Sequence, residues 1–146
     1  MKSRIVALIT GMAIALSLVS CSGGFEGDPA DEFVGIYNVT VYAKVKWGGD
    51  EGSFIDHGTL YMTKVSSNKV RISGFFSTYG TIASGSWIYF DDAHTSDSEG
   101  YINEQYNIAQ LKNNVLQFTS LGTGELRYNG VLYPWKRLSE YTAVKQ

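Results

Sequence analysis

The chain has 146 residues, 12 Lys and Arg against 14 Asp and Glu, and one cysteine. No basic block occurs in it, which argues against nucleic acid as a partner, and a lone cysteine excludes an intramolecular disulfide. The length suits one domain with a real hydrophobic core.

The first element is a leader. Lys2 and Arg4 precede a mostly apolar run from Ile5 to Val19, interrupted by Thr10, Gly11 and Ser17. That run is shorter than the roughly 20 residues a helix needs to cross the hydrocarbon core. It has the length and flanks of a secretory h-region. Setting Lys2 and Arg4 aside with the leader leaves 10 basic against 14 acidic side chains, so a patch for anionic headgroups is not expected.

Leu18-Val19-Ser20-Cys21 follows at the cleavage side. It resembles the bacterial lipobox, a Leu three residues before a Cys with small or aliphatic residues between. The resemblance implies a diacylglyceryl group on the Cys21 thiol, cleavage just before it and acylation of the new amino end, a palmitate-type anchor. Two acyl chains hold stably where one holds marginally. Residues 22–32 are rich in Gly and acid and poor in apolar side chains, the composition of a flexible spacer. The expected division is a lipoprotein signal peptide over 1–20, a lipidated Cys and flexible tether over 21–32, and an all-β barrel domain over 33–146. Glu26 and Asp28 partly match an acidic surface-export signal, so the expected address is the cell envelope, lipid-anchored in the outer membrane and facing the periplasm or the surface.

Strands are expected throughout the rest. From Gly35 to Trp47 the residues Tyr37, Val39, Val41, Ala43, Val45 and Trp47 share one parity, the period of a half-buried strand. A polar turn over 48–52 leads to a strand from Phe54 to Val65. The turn at Ser66-Ser67-Asn68 opens a strand over 69–76. Tyr79 to Ser84 and Trp87 to Phe90 flank Gly85-Ser86, which reads as a two-residue type II′ hairpin loop. Residues 91–100 read as a polar loop, followed by strands over 101–111, 115–121, 124–128 and 131–138. Asn129-Gly130 is a strong hairpin signal, and its register pairs Tyr128 with Val131, Leu126 with Tyr133 and Gly124 with Trp135. No segment past the leader shows helical periodicity with caps. Short turns between strands favour an antiparallel meander closing into a small barrel, with a two-sheet β-sandwich as the alternative.

Gly35-Ile36-Tyr37, Ser73-Gly74-Phe75-Phe76 and the run from Tyr128 to Pro134, with the lipobox and acidic tether, carry a wider likeness. Over residues 33–146 the chain resembles the small lipocalin-like, or calycin-like, lipoproteins of gut Bacteroidota. That resemblance implies a fold and an address more than a reaction. Lipocalins open Gly-x-Trp and pack a late Arg on the Trp ring; here Tyr37 takes the Trp place, and Arg127 or Arg137 is the candidate partner.

No catalytic motif is visible. Asp56 and His57 adjoin in sequence and so face opposite sides of a strand. The Gly-x-Ser-x-Gly elbow, the His-Glu-x-x-His helix and the phosphate loop are all missing, so no enzyme, no metal and no cofactor are expected. The acidic stretch from Asp91 to Glu99 lacks EF-hand spacing and reads as a solvated hairpin loop. Aromatic residues are the remaining candidates, because they supply large amphipathic contact area at low entropic cost. Tyr37, Trp47, Tyr133 and Trp135 lie on apolar parities of the first and last strands and are the expected ligand-binding residues. The expected function is a non-enzymatic, membrane-anchored binding protein holding a small apolar or glycan ligand in or on a barrel. The alternative is a protein-interaction lipoprotein, an envelope-complex subunit or enzyme inhibitor, with a packed core.

Overall fold

The computed structural model describes residues 27–146; the leader, Cys21 and most of the tether lie outside the described residues. A short helix, α1 (Pro29–Phe33), precedes ten antiparallel strands. These are β1 (Gly35–Trp47), β2 (Asp50–Ser66), β3 (Lys69–Gly74), β4 (Thr78–Ala83), β5 (Trp87–Phe90), β6 (Ala93–Asp97), β7 (Gly100–Tyr106), β8 (Ala109–Lys112), β9 (Val115–Tyr128) and β10 (Val131–Lys145). Strand order is β10-β1-β2-β3-β4-β5-β8-β9-β7-β6, and β9 also pairs with β10. The ring β1-β2-β3-β4-β5-β8-β9-β10 is therefore closed. The fold is all-β, an antiparallel meander closing into a small eight-stranded barrel.

The meander is interrupted once. After β5 the chain leaves the wall, forms the β6–β7 hairpin on the free edge of β9, and returns as β8. The closing seam is thin, because β5 meets β8 at only Trp87↔Gln110 and Ile88↔Ala109. Strand lengths explain the shape that results. β3, β4, β5 and β8 have 4 to 6 residues, whereas β1, β2, β9 and β10 have 13 to 17. A ring can close only to the height of its shortest strands. Above that height β2, β1, β10, β9, β7 and β6 continue as an open sheet whose inner face prolongs the barrel interior.

The closed half is filled. Tyr37, Leu60, Met62, Ile72, Ile88 and Leu116 are fully buried, each on the inward parity of its strand. Above them Phe118 stacks on Tyr141 with ring centroids 4.6 Å apart and Phe76 on Tyr106 at 5.1 Å. Helix α1 closes the lower end, with Ala30 and Phe33 buried. Pro29 suits the first helical turn, where its missing N–H costs nothing. The Ala30 amide donates to the Ser67 carbonyl at 2.9 Å, and Lys64 bridges Asp28 and Asp31 at 2.6 and 2.7 Å.

The structure corrects several local expectations. Residues 29–32, assigned to the flexible tether, form α1 together with Phe33, because Phe33 and Ala30 find the barrel end to cover. Strand β2 begins at Asp50, so the polar turn shrinks to Gly48-Gly49. The loop between β4 and β5 has three residues, since Ala83 pairs with Trp87 and both Gly85 and Ser86 have positive φ. The expected loop over 91–100 is largely the hairpin β6–β7. Conversely, 101–111 divides into β7 and β8, while 115–121 and 124–128 are one strand, β9.

Candidate functional site

The site is built where the closed half opens into the sheet. A cavity of about 270 Å³ lies at this mouth, walled by Phe54, Phe75 and Phe76, with Asp56, Arg137 and Ser139 supplying polar groups. Period-two alternation in β10 brings Ser139, Arg137, Trp135 and Tyr133 to the inner face in sequence. The inner parity of β9 contributes Ser120, Gly122 and Gly124, and β7 contributes Glu104.

Register assembles the polar cluster. Arg137, Gly122 and Glu104 lie in one row across β10, β9 and β7. The middle position carries no side chain, so Arg137 reaches over it and its Nη2 donates to Glu104 Oε2 at 3.0 Å. A Cβ at Gly122 would stand 2.5 Å from that carboxylate oxygen and 2.7 Å from the Trp135 ring. Glycine is what lets both side chains cross β9. Trp135 lies flat enough for the Arg137 guanidinium to sit 5.3 Å from its ring centroid, a cation–π distance. Ser120 Oγ donates to the same Glu104 carboxylate, and the Tyr141 hydroxyl lies 3.4 Å from Ser120 Oγ.

Two polar atoms are left over. Arg137 Nε and Ser139 Oγ are both buried without a hydrogen-bond partner. Buried polar groups are satisfied in the great majority of cases, and leaving one unpaired costs roughly 1–3 kcal/mol. Both belong to residues lining the mouth. Nearby, burial raises the Tyr106 phenol above its ordinary pKa, and the Glu104 charge adds to that; the ring enters this site protonated.

A second concavity of about 440 Å³ lies farther up the same inner face, lined by Trp47, Asp50, Tyr128 and Tyr133 around Gly48-Gly49. Trp47 and Tyr128 meet edge to face at 5.7 Å. Trp47 and Trp135 are direct cross-strand partners, as neighbouring first and last strands require.

Of the four residues expected to bind a ligand, three thus come together: Trp47 and Tyr133 in the upper cleft, Trp135 between it and the mouth. Tyr37 sits elsewhere. It is 0% exposed at the closed end, its hydroxyl donates to the Phe33 carbonyl at 2.8 Å, and burial raises its pKa. Arg137 is the late arginine packed on an indole, but the indole is Trp135 and not the ring at position 37. Arg127 instead clamps the two hairpin ends, donating to Ser98 and Gly130 carbonyls. Asp56 faces the mouth and His57 the opposite side, where His57 contacts Thr40 at 3.1 Å. In the acidic stretch Asp97 Oδ1 accepts from the Glu99 amide at 2.8 Å, and among the described residues no three His, Cys, Asp or Glu side chains gather as a metal site requires. Glu104, Ser120 and Ser139 had no sequence signal beyond a polar residue on an apolar parity.

The chain matches no protein-family model and no curated protein sequence. Among solved structures it is similar to an S-type phycobiliprotein lyase, CPES, from Guillardia theta, at 8% identity and a TM-score of 0.34, covering 80% of this chain and 90% of that one. That neighbour is by description a lyase, and the expectation that the chain is no enzyme is withdrawn. It had rested only on missing motifs, and a site assembled from four strands need not carry one.

Proposed function

We propose that the protein binds a small ligand at the barrel mouth, one whose hydrogen-bonding oxygens meet Arg137 and Ser139 while its apolar surface meets Phe54, Phe75 and Phe76. The observation that carries this reading is the pair of buried, unpartnered atoms, Arg137 Nε and Ser139 Oγ, at the cavity. Placing this domain on an outer-membrane lipid anchor at Cys21, facing the periplasm or the surface, belongs to the same proposal and rests on the sequence from Leu18 to Cys21. The filled lower barrel leaves no channel for an acyl chain, so the small apolar ligand gives way to one of mixed polarity.

A second reading, a protein partner, is favoured by the outer face of the open sheet. There Tyr42 and Ile55 are cross-strand partners, and Ile55 is 64% and Leu138 44% exposed.

Ser139→Ala tests the mouth. If Ser139 Oγ waits for a ligand, removing it stabilises the free protein by about 1 kcal/mol, because an unpaired buried hydroxyl is lost. The same change weakens binding of oxygen-bearing ligands. A urea midpoint that falls in Ser139→Ala shows that the hydroxyl is already satisfied and rejects the proposal.

A further inference from the structure

We infer that the mouth is one end of an elongated trough that binds a chain of neutral sugar units. This rests on the ligand-binding reading above and extends it from one pocket to the whole inner face of the open sheet. The floor is continuous along β10. Ser139, Arg137, Trp135 and Tyr133 follow at two-residue steps on one face, so the floor runs about 20 Å from Ser139 in the mouth to Tyr133 in the upper cleft at the usual rise of a strand. That span fits a short oligosaccharide and exceeds a single ring.

The chemistry along the floor suits sugars. Hydrogen-bonding groups stand at one end, at Ser139 and Arg137, and Asp50 at the other. Between and above them lie aromatic rings that the described residues leave partly uncovered. Trp47 is 37%, Tyr133 36% and Tyr128 58% exposed, although all three lie on the parity that is buried lower in the barrel. A sugar ring presents hydroxyls around its edge and C–H groups on its face, which is the complement of such a surface. Tyr133 is fixed for this by Gly48, where a Cβ would stand 3.2 Å from the Tyr133 ring.

Charge selects among sugars. The trough carries Asp50, Asp56 and Glu104 on its inner parities against Arg137, the one cation there among the described residues, which already pairs with Glu104 at 3.0 Å. Uronate or sulfate groups would meet uncompensated carboxylates, so neutral units are preferred. A peptide gains most from a strand's main-chain groups; these lie on the free edge of β2 from Asp50 to Gly58, outside the trough, whose floor offers side chains.

The test uses the full-length protein in detergent, titrated calorimetrically with hexamers and dimers of neutral sugars (cello-, xylo-, manno- and malto-oligosaccharides), with hexagalacturonate as the acidic probe and an uncharged hexapeptide as control. At least one neutral hexamer is expected to bind ten or more times tighter than its own dimer. Tyr133→Ala should remove about tenfold of the hexamer affinity and leave the dimer unchanged, while Tyr133→Phe retains it. Equal affinity for hexamer and dimer overturns the inference, as does failure of every neutral hexamer, or binding of hexagalacturonate or the peptide as tight as that of the best neutral hexamer. The mouth reading stands or falls separately, on the stability of Ser139→Ala.

Discussion

The Arg137–Glu104 pair makes a quantitative prediction, because it joins strands that are not neighbours. Arg137 on β10 and Glu104 on β7 meet across Gly122 of β9. The Glu104 side chain is 6% exposed and that of Arg137 32%. Removing one partner of a fully buried pair costs about 3–5 kcal/mol, since a charge is left uncompensated. Exposure of about a third of Arg137 lets water screen what remains, so Arg137→Met should cost about 2 kcal/mol. Glu104→Gln leaves a guanidinium that can turn to solvent and keeps an oxygen for Ser120, and should cost about 1 kcal/mol. The double variant leaves no orphaned charge, and its loss should be smaller than the sum by about 1–2 kcal/mol, the coupling of the pair. Urea denaturation of the four proteins measures this directly. Losses that add within about 0.5 kcal/mol would show that the two groups act independently, and the view of the pair as the tie between β10 and β7 would fail.

Two further outcomes are expected. The Lys64 hydrogen bond holds the Asp31 carboxyl below its ordinary pKa of 3.8, so the tie between α1 and β2 is present above that value and lost as pH falls beneath it; the protection of the Ala30 amide against hydrogen exchange, relative to the intrinsic rate at the same pH, should fall at acid pH in wild type, and at neutral pH in Lys64→Met. A Lys64→Met rate at neutral pH equal to wild type would show the bridge to be idle. Cys21→Ala should abolish labelling by palmitate analogues in the bacterial host; a variant that still labels refutes the lipid anchor.

The register of the last hairpin was legible from two residues. Asn129 and Gly130 both take positive φ, which a two-residue loop of this twist requires, and Tyr128↔Val131, Leu126↔Tyr133 and Gly124↔Trp135 follow as expected. The first strand was legible over its whole length because alternation from Tyr37 to Trp47 is unbroken. Gly122-x-Gly124 misled for a physical reason. Glycines inside a strand pattern usually mark a break or a close approach; here the approach is by the Glu104 and Trp135 side chains at Gly122 and by the Tyr101 backbone at Gly124, and the strand runs on through them. The polar cluster was not legible because parity assigns a face and no height. Glu104, Ser120, Arg137 and Ser139 meet only once β7 is known to lie on β9, and that placement follows from the chain leaving the barrel after β5. Helix α1 was hidden because five residues are too few to show periodicity.

The unequal strands also divide the molecule into a packed half and an open half. In the lower half every inward side chain has a partner across the ring, and α1 covers the end, so substitutions there act on the core: truncating Leu116 or Leu60, each 0% exposed, falls in the range of about 2–5 kcal/mol for Leu to Ala. In the upper half β2 from Asp50 to Gly58 has β1 on one side and no strand on the other among the described residues. The inward side chains there face open space where the short strands would have stood. The aromatic ones among them, on β1, β9 and β10, keep the apolar parity without the packing that normally accounts for it. Trp47, Tyr128 and Tyr133 are held in place instead by long ladders, eleven pairs between β1 and β10 and fourteen between β10 and β9. A rigid floor with uncovered aromatic faces loses little entropy when a ligand settles on it. The same residues moved into a closed barrel of equal strands would be core.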